Sequence, residues 1–193
     1  MLRLFLNTSN KYLYLCLMKD DNIVNEVLME GNNNHSEKLI DVLEEFLNNN
    51  KIIVDDLDEL YVGRGPGSYT GVRIACTVAK VLAYAKSIKL FSFSSLDLIL
   101  SNELNNRGIY QVVMDARRGN SFAKVVKVNE KDIEVLLDES FIENEVLANQ
   151  YGEYKVINVE DTKYHVDLLL KYNLIKEEKD VHAFVPTYLR SGV

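Results

Sequence analysis

Tryptophan is absent from this 193-residue chain, and cysteine, proline and histidine are scarce, with two, two and three residues. The two cysteines, Cys16 and Cys76, stand singly inside apolar stretches, without a CxxC pair or metal-ligand spacing. They are predicted to be reduced core thiols. His35, His165 and His182 are far apart and form no HxxxH or HExxH pattern. We therefore assign no metal, no cofactor and no catalytic residue from the sequence.

Basic residues are in the minority, since 22 lysines and arginines face 29 aspartates and glutamates, for a net charge of -7. Proteins that bind nucleic acid on their own usually carry the opposite excess, because their cations replace the counterions of the phosphates. Any RNA is therefore expected to need a basic partner. Long apolar runs are also lacking: the opening residues 1–6 meet Asn7 too early for a signal sequence or a membrane span. A cytoplasmic protein without membrane association is expected.

Glycine is concentrated in one place, because four of the nine glycines and one of the two prolines lie in residues 63–71, Gly-Arg-Gly-Pro-Gly-Ser-Tyr-Thr-Gly. A strand-like run precedes this glycine loop and a helical pattern follows it, with Ser68 and Thr70 as candidate caps. The loop lacks the lysine of a P-loop, and Thr70 stands where GxGxxG needs its third glycine. Both a tight structural connection and a contact loop remain open; the contact residues would be Arg64, Gly65, Pro66, Gly67, Ser68, Tyr69, Thr70, Gly71 and Arg73.

The order of predicted elements indicates an α/β fold of two lobes, residues 1–95 and 96–193. The first lobe reads strand, strand, strand, helix, strand, helix, strand, which is the order of a ribonuclease-H-like fold. Its elements are predicted at residues 2–6, 12–18, 23–29, 36–48 (with Ser36 as a cap), 60–62, 72–85 and 89–92. The smaller second lobe is predicted to contain a helix at 96–104, capped by Ser94 or Ser95, and strands at 109–114, 121–128 and 133–137.

Three polar residues near the loop permit two interpretations each. Asn7 ends the first strand, where a ribonuclease-H-like ATPase would place a carboxylate for magnesium; an amide is a poor substitute because it brings no charge. A simple Asx turn is the alternative for Asn7. Arg64 and Arg73 flank the loop, and each would either bind an anion or partner carboxylate or form a local salt bridge.

The segment 63–74 closely resembles the most diagnostic segment of the bacterial TsaB family, also called YeaZ. Segments 7–9, 113–119 and 186–190 agree in the same order, so the resemblance spans essentially the whole chain. It implies a two-lobed fold of the actin, hexokinase and Hsp70 type. It also implies a role in making the threonylcarbamoyl modification of the adenosine next to the anticodon, in tRNAs that read codons beginning with A.

The same resemblance implies a non-catalytic protein. In that family TsaB is a degenerate paralogue of TsaD; TsaD carries the metal-binding HxxxH and transfers the threonylcarbamoyl group, and the ATPase TsaE joins the pair. This chain would then meet tRNA only through the complex. The family usually has aspartate at the position of Asn7, and its common C-terminal extension is missing or short here. The rival hypothesis is an enzyme of the same fold, an ATP-dependent phosphotransferase or ATPase, or a glycoprotease-like hydrolase.

By resemblance, the surface for TsaD is expected on the helix at 36–48 and the helix after the glycine loop. Small residues on the second helix would permit close approach of a partner helix. Burial inside their own lobe is the alternative explanation, and a homodimer is the expected state of the isolated chain if the surface is free. The expected interface residues are Leu39, Leu43, Phe46, Val72, Ala75, Cys76, Ala79, Leu82 and Ala83.

Overall fold

The computed structural model describes residues 1–31, 35–161 and 163–189, which form two sheets flanked by helices. The strands are β1 (Leu2–Asn7), β2 (Tyr12–Lys19), β3 (Asn22–Glu30), β4 (Glu59–Gly63), β5 (Lys89–Phe93), β6 (Gly108–Asp115), β7 (Asn120–Val128), β8 (Ile133–Glu143), β9 (Lys155–Ile157) and β10 (Ile175–Glu177). The helices are α1 (His35–Asn49), α2 (Tyr69–Lys86), α3 (Ser95–Leu100), α4 (Asn144–Tyr151) and α5 (Val166–Lys171).

The first sheet has the order β10-β5-β4-β1-β2-β3 and confirms the predicted fold class. β1, β2 and β3 form an antiparallel meander, while β1, β4 and β5 are parallel. Side chains alternate between the two faces, as the two-residue period of a strand requires. Leu4 and Leu6 face the core under α1 and α2, whereas Phe5 stacks on Tyr61 at 4.3 Å on the opposite face. Both faces of the sheet are therefore buried at β1, whereas most residues of the edge strand β3 are exposed.

The second sheet has the order β8-β7-β6-β9, which repeats the order β3-β2-β1-β4 of the first. In each lobe the first strand pairs antiparallel with the second and parallel with the fourth. The turn after β6 is thus the topological counterpart of the turn after β1. The second half of the chain also returns to the first sheet, because β10 pairs with β5. The predicted second lobe, residues 96–193, therefore contributes its C-terminal strand to the first lobe.

Several element boundaries differ from those expected. The helix expected at 96–104 is the shorter α3, capped by Ser94, whose hydroxyl accepts a hydrogen bond from Leu96 N at 3.1 Å. A 3-10 turn, Ser101–Glu103, follows it, and there the Ser101 hydroxyl donates to Leu98 O at 2.6 Å. β8 extends to Glu143, six residues beyond the expected end. The predicted cap Ser36 and the near-terminal Arg190 lie outside the side chains that the structure describes.

Both cysteines are free and buried, as predicted. Burial raises the pKa of the Cys16 thiol and of the Cys76 thiol to about 12. Within the described ranges, no helix is both long enough and apolar enough to span a membrane.

Candidate functional site

The glycine loop connects the end of β4 to the start of α2. Ser68 is the N-cap of α2: its side chain accepts a hydrogen bond from Gly71 N at 3.4 Å, and its carbonyl accepts one from Val72 N at 2.9 Å. Thr70 lies inside the first turn. Of the two predicted caps, Ser68 is confirmed and Thr70 is wrong.

The backbone of the loop is tied to three other segments. Arg64 N donates to Phe93 O at 2.9 Å, and Ser68 N donates to Ser9 O at 2.7 Å. The loop also accepts two bonds, from Ser95 N to Gly65 O at 2.9 Å and from Thr187 N to Arg64 O at 2.7 Å. A phosphate cradle needs its amides directed at the ligand. Here the amides of Arg64 and Ser68 are already bonded within the fold and are not available to a phosphate.

The glycines permit close contact between backbones. Gly65 has a φ of +99°, and a Cβ there would lie 2.8 Å from Thr187 O. Gly71 lies in the first turn of α2, where a Cβ would come within 2.0 Å of Thr8 O. Thr8 also donates its hydroxyl to Gly71 O at 2.7 Å. The turn after β1 is thus covered directly by the start of α2.

Asn7 is buried at the centre of this arrangement, with 0% exposure. The Ser95 hydroxyl donates to Asn7 Oδ1 at 3.4 Å, while Asn7 Nδ2 has no hydrogen-bond partner among the described residues. The Asx turn belongs to Asn10, whose Oδ1 accepts from Tyr12 N at 2.8 Å. The Asx-turn interpretation of Asn7 is therefore wrong; Asn7 is a buried amide without access to solvent.

Most of the expected interface residues lie inside the first lobe. Eight of the nine are at most 5% exposed and belong to the core beneath the first sheet; they are Leu39, Leu43, Phe46, Val72, Ala75, Cys76, Ala79 and Ala83. Leu82 is half-buried and packs against the same core. The alternative explanation, burial in their own lobe, is correct for these side chains. They hold α1 and α2 on the sheet, and their side chains are largely withdrawn from the surface of the lobe.

The opposite side of α2 remains open and carries a second apolar stripe. The α2 stripe consists of Ile74, Thr77, Val78, Val81 and Tyr84, spaced three or four residues apart on one face. Val81 is 58% exposed and Tyr84 65% exposed, while Ile74 and Val78 are half-buried and, like Leu82, pack partly against the first-lobe core. No member carries a charge. On α1, Ile40 is 54% exposed beside the exposed acidic residues Asp41, Glu44 and Glu45.

Both arginines of the expected contact loop have local partners. Arg64 donates to Thr187 Oγ1, and its Nη2 lies 3.9 Å from the Glu139 carboxylate. Arg73 donates to the Tyr69 hydroxyl at 2.7 Å, with its guanidinium 5.2 Å from that ring. The predicted local salt bridge is therefore confirmed for Arg64. For Arg73 it is wrong, because within the described residues its local partner is the neutral Tyr69, through a hydrogen bond and a cation–π contact.

The C-terminal segment 181–189 borders α2. Lys80 Nζ donates to His182 O at 2.6 Å and to Phe184 O at 3.2 Å, which fastens the segment to the helix. Between them lies a cleft of about 400 Å³ lined mainly by Tyr69, Arg73, Cys76, Lys80, Val185 and Tyr188. Burial, with Tyr69 as a further cause, raises the pKa of Tyr188. This cleft ends beside the α2 stripe.

An ion pair joins α3 to the second sheet. Lys124 Nζ lies 2.6 Å from Asp97 Oδ1, and both side chains are only 8% exposed. Burial raises the pKa of Asp97, while the Lys124 ammonium opposes that rise. The charges of Glu139 and of Arg64 in the glycine loop also act on Asp97, so this ion pair lies near that loop.

Chemical groups that would form a metal centre do not come together in the described part of the chain, where no three His, Cys, Asp or Glu side chains cluster. His165 N donates to Ser101 Oγ at 2.9 Å, and the His182 ring meets Tyr84 edge to face, with 4.5 Å between the ring centroids.

The sequence patterns did not single out Val81 or Tyr84. The apolar spacing of residues 74–84 would have revealed them if both faces of the helix had been scored.

Comparison with known proteins gives one consistent result. A family model described as "TsaD: tRNA N6-adenosine threonylcarbamoyltransferase" matches residues 29–189. The chain is 28% identical to the tRNA threonylcarbamoyladenosine biosynthesis protein TsaB of Bacillus subtilis, over 97% of this chain and 93% of that protein. It is 30% identical to the uncharacterized protein MG208 of Mycoplasma genitalium, over 72% of this chain and 78% of that protein. The fold is similar to that of YeaZ from Pseudomonas aeruginosa, with a TM-score of 0.77, 18% identity and coverage of 97% and 99% of the two chains.

Proposed function

We propose that the chain acts in tRNA threonylcarbamoyladenosine biosynthesis as a non-catalytic partner of TsaD. It belongs to the family that the TsaD model describes, and within that family to the TsaB (YeaZ) proteins. TsaE would join the pair, and tRNA would be met only through the complex. The isolated chain would pair with itself through the same surface. The expected location is the cytoplasm.

The α2 stripe is the observation that carries this proposal. An uncharged apolar face on a helix of an otherwise charged protein is a typical protein-interaction surface. Val81 and Tyr84 project from the C-terminal half of that face and are more than half exposed. A partner helix laid against α2 would cover them as anchors, while Asp41, Glu44 and Glu45 of α1 supply a polar rim. A stable interface needs on the order of 1,600 Å² in total, so neighbouring elements must contribute as well.

The state of Asn7 supports a non-catalytic role. An ATPase or phosphotransferase of this fold needs an ionised group at a ligand-accessible strand end, but Asn7 is neutral and fully buried. A side chain at Gly63 would overlap Asn7 Oδ1, at 2.1 Å, so the position is closed from that side as well. The loop amides of Arg64 and Ser68 are already bonded to backbone carbonyls.

Purified chain that turned over ATP or a peptide without TsaD would favour the enzyme hypothesis.

The partnership is tested by co-purification of TsaD with this chain carrying Val81→Asp. A carboxylate in the centre of a helix interface loses its hydration without gaining a partner, so we expect at least about tenfold weaker pairing. Val146→Asp is the matched control, because Val146 is also an exposed helical valine, at 38%, but lies on α4 in the other lobe. Equal retention of TsaD by both variants would contradict the assigned surface.

The role in the pathway is tested by reconstituting tRNA modification with TsaD and TsaE held constant. We expect product only when the chain is present, and much less with Val81→Asp. Full product in its absence would overturn the proposal.

A further inference from the structure

The turn between β6 and β7 holds three consecutive residues in the left-handed region. Arg117 has a φ of 66°, Arg118 a φ of 55° and Gly119 a φ of 73°. Only glycine adopts this conformation without cost, so two arginines in succession oppose the local backbone preference. Positive φ is common in tight turns between antiparallel strands, where glycine, asparagine or aspartate usually supplies it. The feature to be explained is therefore the choice of arginine at two such positions.

Hydrogen bonds hold this turn in one shape. Arg117 N donates to Asp115 Oδ1 at 2.8 Å, and Ala116 N donates to Asn120 O at 2.9 Å. Asn120 Nδ2 donates to Arg118 O at 3.0 Å. Asp115 and Asn120 thus satisfy the backbone and leave the arginine side chains outside the network. Both arginines are exposed, and within residues 1–31, 35–161 and 163–189 neither guanidinium forms an ion pair or hydrogen bond.

The equivalent turn of the first lobe is in the opposite state. Thr8 and Ser9, which follow β1, are each 1% exposed because the glycine loop covers them. The turn after β6 has no such cover, since Arg117, Arg118 and Gly119 are all exposed. Of two turns at the same place in a repeated strand order, one is closed off and the other presents two cations.

We propose that Arg117 and Arg118 contact the phosphate backbone of the tRNA when this chain is assembled with TsaD; this rests on the proposed function. A guanidinium matches two phosphate oxygens with paired N–H donors, and it keeps its charge at any physiological pH. A protein partner is the weaker explanation, because protein interfaces have an apolar centre and Ala116 is the turn's one apolar side chain. With a net charge of -7, two arginines cannot hold RNA on their own. Their contact adds to binding that the complex provides.

The test compares two double variants in the complex with TsaD. Arg117→Asn with Arg118→Asn removes the two charges and keeps a residue type that tolerates the left-handed backbone. The matched control is Arg107→Asn with Lys131→Asn, which removes two exposed cations from the other end of the β6–β7 hairpin. Binding of an unmodified tRNA transcript is measured by filter retention at 50 and 200 mM salt, and complex formation by size-exclusion chromatography without RNA.

Two phosphate contacts contribute about 1.4 to 1.8 to the slope of log affinity against log salt. Between 50 and 200 mM salt, the complex without substitutions should therefore lose about tenfold more affinity for tRNA than the complex with the Arg117/Arg118 variant. The complex with the control variant should behave like the one without substitutions. Equal slopes for all three complexes, or equal losses for both variants, would overturn the inference. Loss of TsaD pairing by the Arg117/Arg118 variant would assign the turn to a protein contact instead. Failure of the unmodified chain to pair with TsaD would overturn the proposed function, and this inference with it.

Discussion

Replacing Gly71 with alanine should destabilise the chain, although alanine is the better helix former. Gly71 lies inside the first turn of α2 and has no positive φ. By helix propensity alone, Gly71→Ala would stabilise the fold by about 1 kcal/mol. The added Cβ, however, would come within 2.0 Å of Thr8 O, a backbone atom that cannot rotate away. The start of α2 and the turn after β1 must therefore separate.

The magnitude follows from what that separation removes. Overpacking in a filled interior costs about 1 to 3 kcal/mol, and occasionally more. The hydrogen bond from the Thr8 hydroxyl to Gly71 O, now 2.7 Å, would be lost or stretched at a cost of about 1 kcal/mol. Subtracting the propensity gain leaves a net loss of about 1 to 3 kcal/mol in the free energy of unfolding.

Urea unfolding followed by far-UV circular dichroism measures this loss, with Gly119→Ala as the control. A Cβ at Gly119 meets no atom within 4 Å, but its φ of 73° imposes backbone strain of about 1 kcal/mol. The control thus isolates backbone conformation from close contact. Gly71→Ala with unchanged or higher stability would refute the close-contact explanation of the loop.

Three further outcomes are expected. Ala79→Glu places a carboxylate in a fully buried site of the first-lobe core, so it should lower the free energy of unfolding by several kcal/mol, measured in urea. A loss of TsaD pairing by this variant would then reflect the damaged core. Lys124→Met should lower the free energy of unfolding by about 3 to 5 kcal/mol, because it leaves Asp97 charged and buried. Adding Asp97→Leu should restore most of that stability, and equal stability of the single and double variants would contradict a coupled pair. Because burial raises the pKa of Cys16 and of Cys76 to about 12, neither thiol should react with Ellman's reagent at pH 8 in the native protein, and both should react in urea.

The first lobe could be predicted because each of its signals is local. Alternating leucines mark β1 and β2, and the apolar stripe of α1 has helical spacing. The end of the chain could not be predicted in this way. β9 and β10 have three residues each, too few to show a period, and β10 belongs to the first sheet only because tertiary contacts bring it beside β5.

The proposed partner surface shows a limit of pattern analysis. Apolar spacing identifies the face of a helix that is buried, and on α2 it selected Val72, Ala75 and Ala79, which face the sheet. A surface for a partner is the apolar area left after the lobe has folded. On α2 that remainder is the α2 stripe, of which Val81 and Tyr84 are the most exposed apolar members. Only the packing of the helix on the sheet separates these two sets.

The repeated strand order places two equivalent turns in opposite states. The first-lobe turn, at Thr8 and Ser9, is covered by glycine-loop backbone at distances that leave no room for a side chain. Hydrogen bonds from Ser68 N to Ser9 O and from the Thr8 hydroxyl to Gly71 O attach the start of α2 to this turn, and with it the α2 stripe. The second-lobe turn keeps its exposure and directs Arg117 and Arg118 to solvent. Val81→Asp should therefore weaken TsaD pairing at least about tenfold, while Arg117→Asn with Arg118→Asn should leave that pairing intact and lower both the affinity of the complex for tRNA and its salt dependence.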